Sequence, residues 1–237
     1  MILAASDPLA KVVASAITGG HLDALAALLD QNAGLATASI GPRSLLHLAT
    51  DWPGNFPDSA ATVHLLADRG ADVNATFTGG SHRETPLHWA ASCDDVAALD
   101  ALVARGANLE APGAVIAGGT PLADAVAFGQ WKAARRLVEH GACTTLWQAA
   151  ALGLTGRVES YFSPQAGWMP TPEETTQALW CACHGGQLGA AQYLAARGGD
   201  LQWVGYDKLS PLGAALRAQA PPALLAWLRA AGALHKS

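Results

Sequence analysis

Apolar and polar residues along this chain follow the period of an α-helix. Val96, Leu99 and Val103, for example, recur at the spacing i, i+3 and i+7, which places them on one face of a helix. Arg105 and Gly106 follow, and glycine commonly ends a helix because it adopts a left-handed backbone at little cost. The pattern therefore predicts an amphipathic helix that ends at Gly106.

A second helix is predicted just upstream of this one. Thr85 can cap its N-terminus, and Pro86 suits the first turn, where a missing N–H costs nothing. Leu87, Ala90 and Ala91 then supply apolar side chains along the helix. Two short helices joined by a turn therefore make one structural unit.

This unit recurs along the chain. Short strings with a glycine in second place and a small residue in third place return about every 35 residues, with one wider gap. The strings lie at positions 69–72, 105–108, 140–143, 197–200 and 231–234. The repetition predicts a single domain, residues 1–237, of seven units at about 8–37, 42–75, 83–111, 118–143, 145–168, 175–202 and 208–235.

Three segments carry a resemblance to a known family. Residues 85–91 read Thr-Pro-Leu-His-Trp-Ala-Ala, and residues 45–49 and 120–122 contain parts of the same string. Together with the glycine endings, these segments resemble ankyrin repeats, whose period is about 33 residues and whose signature is T-P-L-H-x-A. The resemblance implies an all-α ankyrin-repeat solenoid of about seven helix–turn–helix units with hairpin-like loops between the repeats. It also implies that His47 and His88 bond the capping residue to the backbone of the adjacent unit.

The composition limits the classes of partner. Hydrophobic residues make up 51% of the chain and charged residues 14%, which excludes intrinsic disorder. The formal net charge is −5 without a basic cluster that could neutralise several phosphates, so no nucleic acid is expected as a partner. No apolar stretch approaches the roughly 18 residues of a membrane span, so no membrane is expected either. Four scattered cysteines and an N-terminus unlike a signal peptide lead us to expect a cytoplasmic location.

Neither a metal ion nor a cofactor is expected. Cys181 and Cys183 point about 200° apart on a helix, so they cannot hold one ion together. The glycine pairs at 79–80 and 118–119 lie between units and lack the lysine and hydroxyl residue of a phosphate-binding loop. Both features are interpreted as structural.

The most informative residues are those that the repeat leaves variable. The resemblance implies that the first helix of each unit shows three such positions on the concave surface. They are Leu48, Asp51 and Trp52; Trp89, Ser92 and Cys93; Asp124, Ala127 and Phe128; Gln148, Ala151 and Leu152; and Cys181, His184 and Gly185. Exposed aromatic rings beside single acids are typical of a recognition groove. The alternative is that each ring packs under the neighbouring hairpin.

The second unit carries the feature least typical of the family. The segment Asp51-Trp52-Pro53-Gly54-Asn55-Phe56-Pro57-Asp58 replaces a tight turn by a longer loop, and loops on rigid scaffolds often carry function. A harmless insertion is the alternative interpretation. The candidate ligand- or partner-binding residues are Asp51, Trp52, Phe56, His82, Arg83, Trp89, Ser92, Asp94, Asp124, Phe128, Trp131 and His184.

Two functions fit these residues. The first, implied by the resemblance, is a protein–protein interaction scaffold that binds another protein on its concave groove and hairpin loops. The second is small-molecule binding or acid–base catalysis around the third and fourth units, where Trp89, Asp124 and Phe128 could meet. Because packed helices lie about 8–10 Å apart, Asp51 and His184 stand too far from Asp124 to form a catalytic cluster. No nucleophile–base motif is present, so catalysis is not favoured.

Overall fold

The computed structural model describes residues 1–164, 167 and 169–235. The end of the fifth predicted unit, at residues 165, 166 and 168, lies outside the described residues, as do the last two residues of the predicted domain.

The chain divides into two compact units, Met1–Ala142 and Cys143–Ser237, each with its own buried core. The prediction of one continuous domain over 1–237 stays a prediction. The fold class is all-α with helices in consecutive pairs, as predicted.

The helices of the first unit follow one another as four pairs. They are α1 (Pro8–Thr18) and α2 (Leu22–Gln31), α3 (Leu45–Ala49) and α4 (Ser59–Asp68), α5 (Pro86–Ser92) and α6 (Val96–Ala104), and α7 (Pro121–Ala127) and α8 (Trp131–Glu139). Within the unit, α5 packs against α3, α6 and α7, and α4 packs against α6.

The second unit contains three further pairs. They are α9 (Leu146–Ala151) and α10 (Thr155–Tyr161), α11 (Pro172–His184) and α12 (Leu188–Ala195), and α13 (Pro211–Arg217) and α14 (Pro222–Ala230). Helix α11 packs against α9, α12 and α13. Among the residues the structure describes, no helix is both long enough and apolar enough to cross a bilayer.

The first helix of each pair after α1 begins at a hydroxyl cap, whereas α1 is capped by Asp7. Ser44, Thr85 and Thr145 each close a capping box with the residue three positions later, and Ser210 accepts the backbone N–H of Gly213. Such caps satisfy backbone N–H groups that have no partner inside the helix. The second helix of a pair ends at a glycine with φ between +80° and +100° at five places, as predicted. These are Gly70, Gly106, Gly141, Gly198 and Gly232.

The sixth unit starts earlier than predicted. Its first helix begins at Pro172 rather than near residue 175, so the boundary at about 175 is wrong by one helical turn. The cause is a capping box in which the Glu174 N–H donates to Thr171 Oγ1 at 3.2 Å and the Thr171 N–H donates to Glu174 Oε2 at 2.8 Å.

A small sheet near the N-terminus was not predicted. Strand β1 (Ile2–Leu3) pairs in parallel with β2 (Ser39–Ile40), and β2 pairs antiparallel with β3 (Arg43–Ser44). Ile2 lies opposite Ser39. Strands of two residues are too short to show the alternation that identifies a strand in a sequence.

His47 bonds one repeat to the next, as the resemblance implied. Its Nε2 lies 3.1 Å from the carbonyl oxygen of Glu84, and its Nδ1 lies 2.8 Å from Ser44 Oγ. A carbonyl oxygen only accepts, so Nε2 carries the proton and Nδ1 is the acceptor. The ring therefore has two partners while it is neutral.

The same connection recurs in both units. His88 Nε2 lies 3.3 Å from the carbonyl oxygen of Gly119, with Nδ1 3.0 Å from Thr85 Oγ1. In the second unit, the indole Nε1 of Trp180 donates to the carbonyl oxygen of Leu209 at 2.9 Å. In every case, the accepting residue directly precedes the cap of the next first helix. A tryptophan thus takes the place of the signature histidine.

Candidate binding groove

An open groove of about 560 Å³ lies over helix α5 of the first unit. It is bounded by the long loop between α3 and α4 and by the turn between α7 and α8. Its volume falls in the range of roughly 300–1,000 Å³ that is usual for ligand sites. The lining residues are Asp51, Trp52, Pro53, Glu84, Trp89, Ser92, Cys93, Phe128 and Gln130. The predicted site residues Asp51, Trp52, Trp89, Ser92 and Phe128 therefore meet at one surface.

The long loop of the second repeat is fastened to the third repeat. The backbone N–H of Asn55 donates to Asp95 Oδ2 at 2.9 Å, and the Asn55 side chain donates to the carbonyl oxygen of Cys93 at 3.1 Å. Within the loop, the N–H of Trp52 donates to Asp51 Oδ1 at 2.9 Å. These bonds hold the groove rim in one conformation.

Gly54 allows this close approach. Its φ is +73°, and a Cβ at this position would overlap the Cβ of Cys93. Another residue would have to adopt a disfavoured backbone conformation and would also push the loop away from α5. The position of the loop therefore depends on this glycine.

Aromatic rings line the groove. Trp52 is 82% exposed and Phe128 is 50% exposed. Trp89 is half-buried between them, and its ring meets the imidazole of His47 edge-on at a centroid distance of 4.8 Å. The groove thus combines one fixed ring on its floor with two exposed rings on its sides.

Two buried carboxyl groups meet at the hairpin end of the groove. Glu84 is 5% exposed and Asp124 is fully buried, and the two groups hydrogen-bond to each other. Two ionised carboxylates cannot form such a bond, so the pair shares a proton. Burial, followed by the hydrogen bond to Glu84 and its charge, raises the pKa of Asp124 to about 8, whereas the N–H of Ile116 acts in the opposite direction.

Glu84 connects this pair to the aromatic floor. Its Oε2 accepts the indole N–H of Trp89 at 2.9 Å and lies 2.8 Å from His82 Nδ1. Its Oε1 accepts the backbone N–H of Val115 at 3.4 Å. The His82 ring in turn stacks on Phe77 at a centroid distance of 4.7 Å. One carboxyl therefore organises two inter-repeat hairpins and the orientation of Trp89.

A second, smaller cavity of about 250 Å³ lies between those hairpins. Here the structure places the predicted residues His82 and Arg83, together with Val115. The loop from Asp51 to Asp58 and the hairpin at Val115 thus line separate cavities.

Asp94 has a structural role. It occupies the turn between α5 and α6 with φ of +54°, a conformation that favours glycine. Its Oδ1 accepts the backbone N–H of Ala133, in the first turn of α8, at 2.7 Å. Asp94 therefore fastens the third repeat to the fourth and does not line the groove.

Three further predicted residues lie outside the groove lining. Phe56 is half-buried in the long loop, and Trp131 is the half-buried first residue of α8. His184 belongs to the second unit, where its ring stacks on Trp180 at a centroid distance of 5.5 Å.

The expectation that the variable positions all face the concave surface is wrong at several places. Asp124 is buried because it pairs with Glu84, and Gln148 is buried because its Oε1 accepts the N–H of Thr145 at 2.8 Å and closes a capping box. The buried positions are Leu48, Asp124, Gln148, Ala151, Leu152 and Cys181.

Sequence reasoning missed Glu84. It stands in the connection between two repeats, at a position filled by Arg43, Gly119 and Leu209 before other first helices, so no pattern marks it. The one available signal is its place directly before the cap Thr85, which brings it beside the groove whatever the residue type.

Three of the four cysteines, Cys93, Cys181 and Cys183, have thiols with raised pKa values. Burial, with smaller effects of Asp51 and Asp95, raises the pKa of the Cys93 thiol to about 11. Burial also raises the pKa of Cys183 to about 12 and raises that of Cys181. These thiols are protonated and weakly nucleophilic at neutral pH. Among the described residues, no group of three or more His, Cys, Asp or Glu side chains is placed to hold a metal ion.

Comparisons with known proteins agree with the helix pairs. A family model described as ankyrin repeats, in three copies, matches residues 58–146. The crystal structure of the human ASB11 ankyrin repeat domain resembles this chain with a TM-score of 0.56 and 21% sequence identity, over 94% of this chain and 97% of that one. A search of curated proteins found no match. The predicted resemblance to ankyrin repeats is confirmed over residues 58–146, and the predicted fold is confirmed for the described residues.

Proposed function

We propose that this chain, in which residues 58–146 match ankyrin repeats, binds another protein through the groove of its first unit and the adjoining hairpin loops. Ankyrin repeats are generally protein–protein interaction modules. The observation that carries the proposal is the position of Trp52 and Phe128, whose rings are 82% and 50% exposed on either side of α5.

Exposed aromatic rings on a fixed support favour recognition. A few aromatic side chains supply most of the binding energy in many interfaces. The loop that carries Trp52 is already held by the bonds of Asn55 to Asp95 and Cys93, so little conformational entropy is lost when a partner covers the ring.

The test uses residues whose removal does not disturb the core. We expect the purified full chain to retain one protein from a cell extract at a fixed stoichiometry, and Trp52→Ala combined with Phe128→Ala to lower that retention by about tenfold or more. Val12→Ala is the matched control, because Val12 is 53% exposed in the same unit but does not line the groove. Equal retention by the double variant and the control would overturn the proposal.

Small-molecule binding in the same groove is the second candidate. The observation that favours it is the Glu84–Asp124 carboxyl pair, although Asp124 does not line the groove and only Glu84 reaches it. This supports a polar anchor for a ligand more than proton transfer to a substrate. A metabolite that raises the melting temperature of the chain but not that of Trp89→Ala would favour this function over protein binding.

A further inference from the structure

We propose that the groove of the first unit holds an arginine side chain of the partner protein. This inference rests on the proposed function and names the chemistry of the partner. The groove would receive the guanidinium between aromatic rings and beside carboxylates.

Three aromatic rings form much of the groove surface. Trp52, Trp89 and Phe128 all line the groove, and the indole N–H of Trp89 is fixed by Glu84 at 2.9 Å. A guanidinium stacks on such rings because their faces are negative, and the attraction grows when water is partly excluded. The side chain that gains most from these rings is therefore flat and cationic.

The groove lining is acidic. Asp51 and Glu84 are the residues with formal charge in the groove lining, and no Lys, Arg or His side chain lines it within the described residues. Both acids have partners: Asp51 Oδ2 lies 2.6 Å from Arg43 Nη1, and Glu84 lies beside His82. These partners hold the carboxylates in position, and neither Arg43 nor His82 is among the lining residues.

The acids and the Trp89 ring follow one another along helix α5. Glu84 precedes α5, Trp89 lies within it, and Asp51 is on the loop fastened to the far end of α5. The long apolar stem of an arginine can follow the Trp89 ring while its planar head reaches a carboxylate. Lysine has a more strongly hydrated, compact charge, and leucine would leave the acids unmatched.

The experiment selects ligands without assuming a partner. A library of displayed 12-residue peptides is bound to the immobilised full chain, and selected sequences are tested again on Trp52→Ala, Phe128→Ala and the control Val12→Ala. Groove-dependent peptides should share one arginine. Replacing that arginine by citrulline, which has the same shape without the charge, should weaken binding by about tenfold or more, and lysine should restore part of it.

A charge variant of the groove makes the test specific. Asp51→Asn should weaken the binding of the arginine peptide and leave the binding of the citrulline peptide nearly unchanged. The attraction that is lost requires a charge on both the peptide and residue 51. Groove-dependent peptides without arginine, or equal affinity for arginine and citrulline, would overturn this inference and leave protein binding in the groove intact. Peptides that bind the control and both groove variants equally would overturn the inference together with the proposed function.

Discussion

The two compact units connect consecutive repeats with different rings at the same position. In the first unit, His47 and His88 donate from Nε2 to the backbone of the next repeat, and in the second unit Trp180 donates from Nε1 to Leu209. The geometry is alike, but imidazole titrates near neutral pH and indole does not. Where a ring stands at this place, its N–H makes the connection, and the choice of ring sets how the connection responds to acid.

Protonation conflicts with the environment of the first-unit histidines. Burial, opposed by the backbone bond to Glu84 and its charge, lowers the pKa of His47 to about 4, and burial also lowers that of His88. A proton on His47 Nδ1 would point at the backbone N–H of Ser44, which already donates to that nitrogen at 3.3 Å. The first unit depends on neutral rings, whereas the Trp180 bond is independent of pH.

The largest expected effect comes from Trp180→Ala. The ring is 4% exposed, and its loss removes both the bond to Leu209 and a large packed surface. We expect a loss of about 3–5 kcal/mol in the free energy of unfolding, measured by urea denaturation. Trp180→His should recover part of this loss at pH 7 by restoring a ring N–H. Equal stability of the alanine and histidine variants would show that the bond contributes nothing.

Acid should destabilise the first unit through its histidines. Between pH 6.5 and 4, His47 is protonated in the unfolded chain but stays neutral in the folded chain. The free energy of unfolding therefore falls as the pH falls through this range. The loss is on the order of 2–3 kcal/mol for His47. Hydrogen exchange, corrected for its intrinsic pH dependence, should show this in peptides of the first unit and not around Trp180.

Asp124 opposes the effect of the histidines on the pH dependence of stability. Its replacement should therefore reveal the full destabilisation by acid. Its folded pKa of about 8 lies above the ordinary aspartic acid pKa of 3.8, so its contribution to stability declines as the pH rises between these values. Asp124→Asn should therefore increase the acid loss in the first unit and make its stability flatter between pH 6.5 and 8. An unchanged profile would contradict the shared proton of the Glu84–Asp124 pair.

The smallest expected effect concerns the last repeat, where Gly213 stands at the ring position. There the cap itself makes the connection, since Ser210 Oγ donates to the carbonyl oxygen of Leu234 at 2.7 Å. Ser210→Ala should cost about 1 kcal/mol in urea denaturation. Ser160→Ala, which removes an exposed hydroxyl bonded to Arg157 in the same unit, is the control and should change stability by less than about 0.5 kcal/mol.

The repeating local features were predictable from the sequence. Thr85 with Pro86 fixes a helix start, and Gly106 fixes a helix end with φ of +86°, because these residues act through the backbone beside them. The meeting of Trp89 and Phe128 was also predicted, because both stand at variable positions of consecutive repeats.

The contacts between side chains of different repeats were not predictable. Asp124 was expected at the surface, but its burial depends on Glu84, which belongs to the preceding connection and has no motif. The bond from Trp180 to Leu209 was not predicted either. Tryptophan and histidine are dissimilar residues, and they are equivalent here only because each has a ring N–H that donates to the backbone. Such pairings depend on the angle between repeats, which a linear pattern does not contain.

The strand Ile2–Leu3 connects the two ends of the segment that contains the first helix pair. The N–H groups of Ser39 and Gly41 donate to the carbonyl oxygens of Met1 and Leu3 at 3.0 Å, so both ends of this segment are tied together. Stacked repeats usually unravel from an outer member, which has a neighbour on one side alone. Here β1 is bonded to β2, so α1 cannot separate from the rest of the repeat by itself unless these strand bonds break.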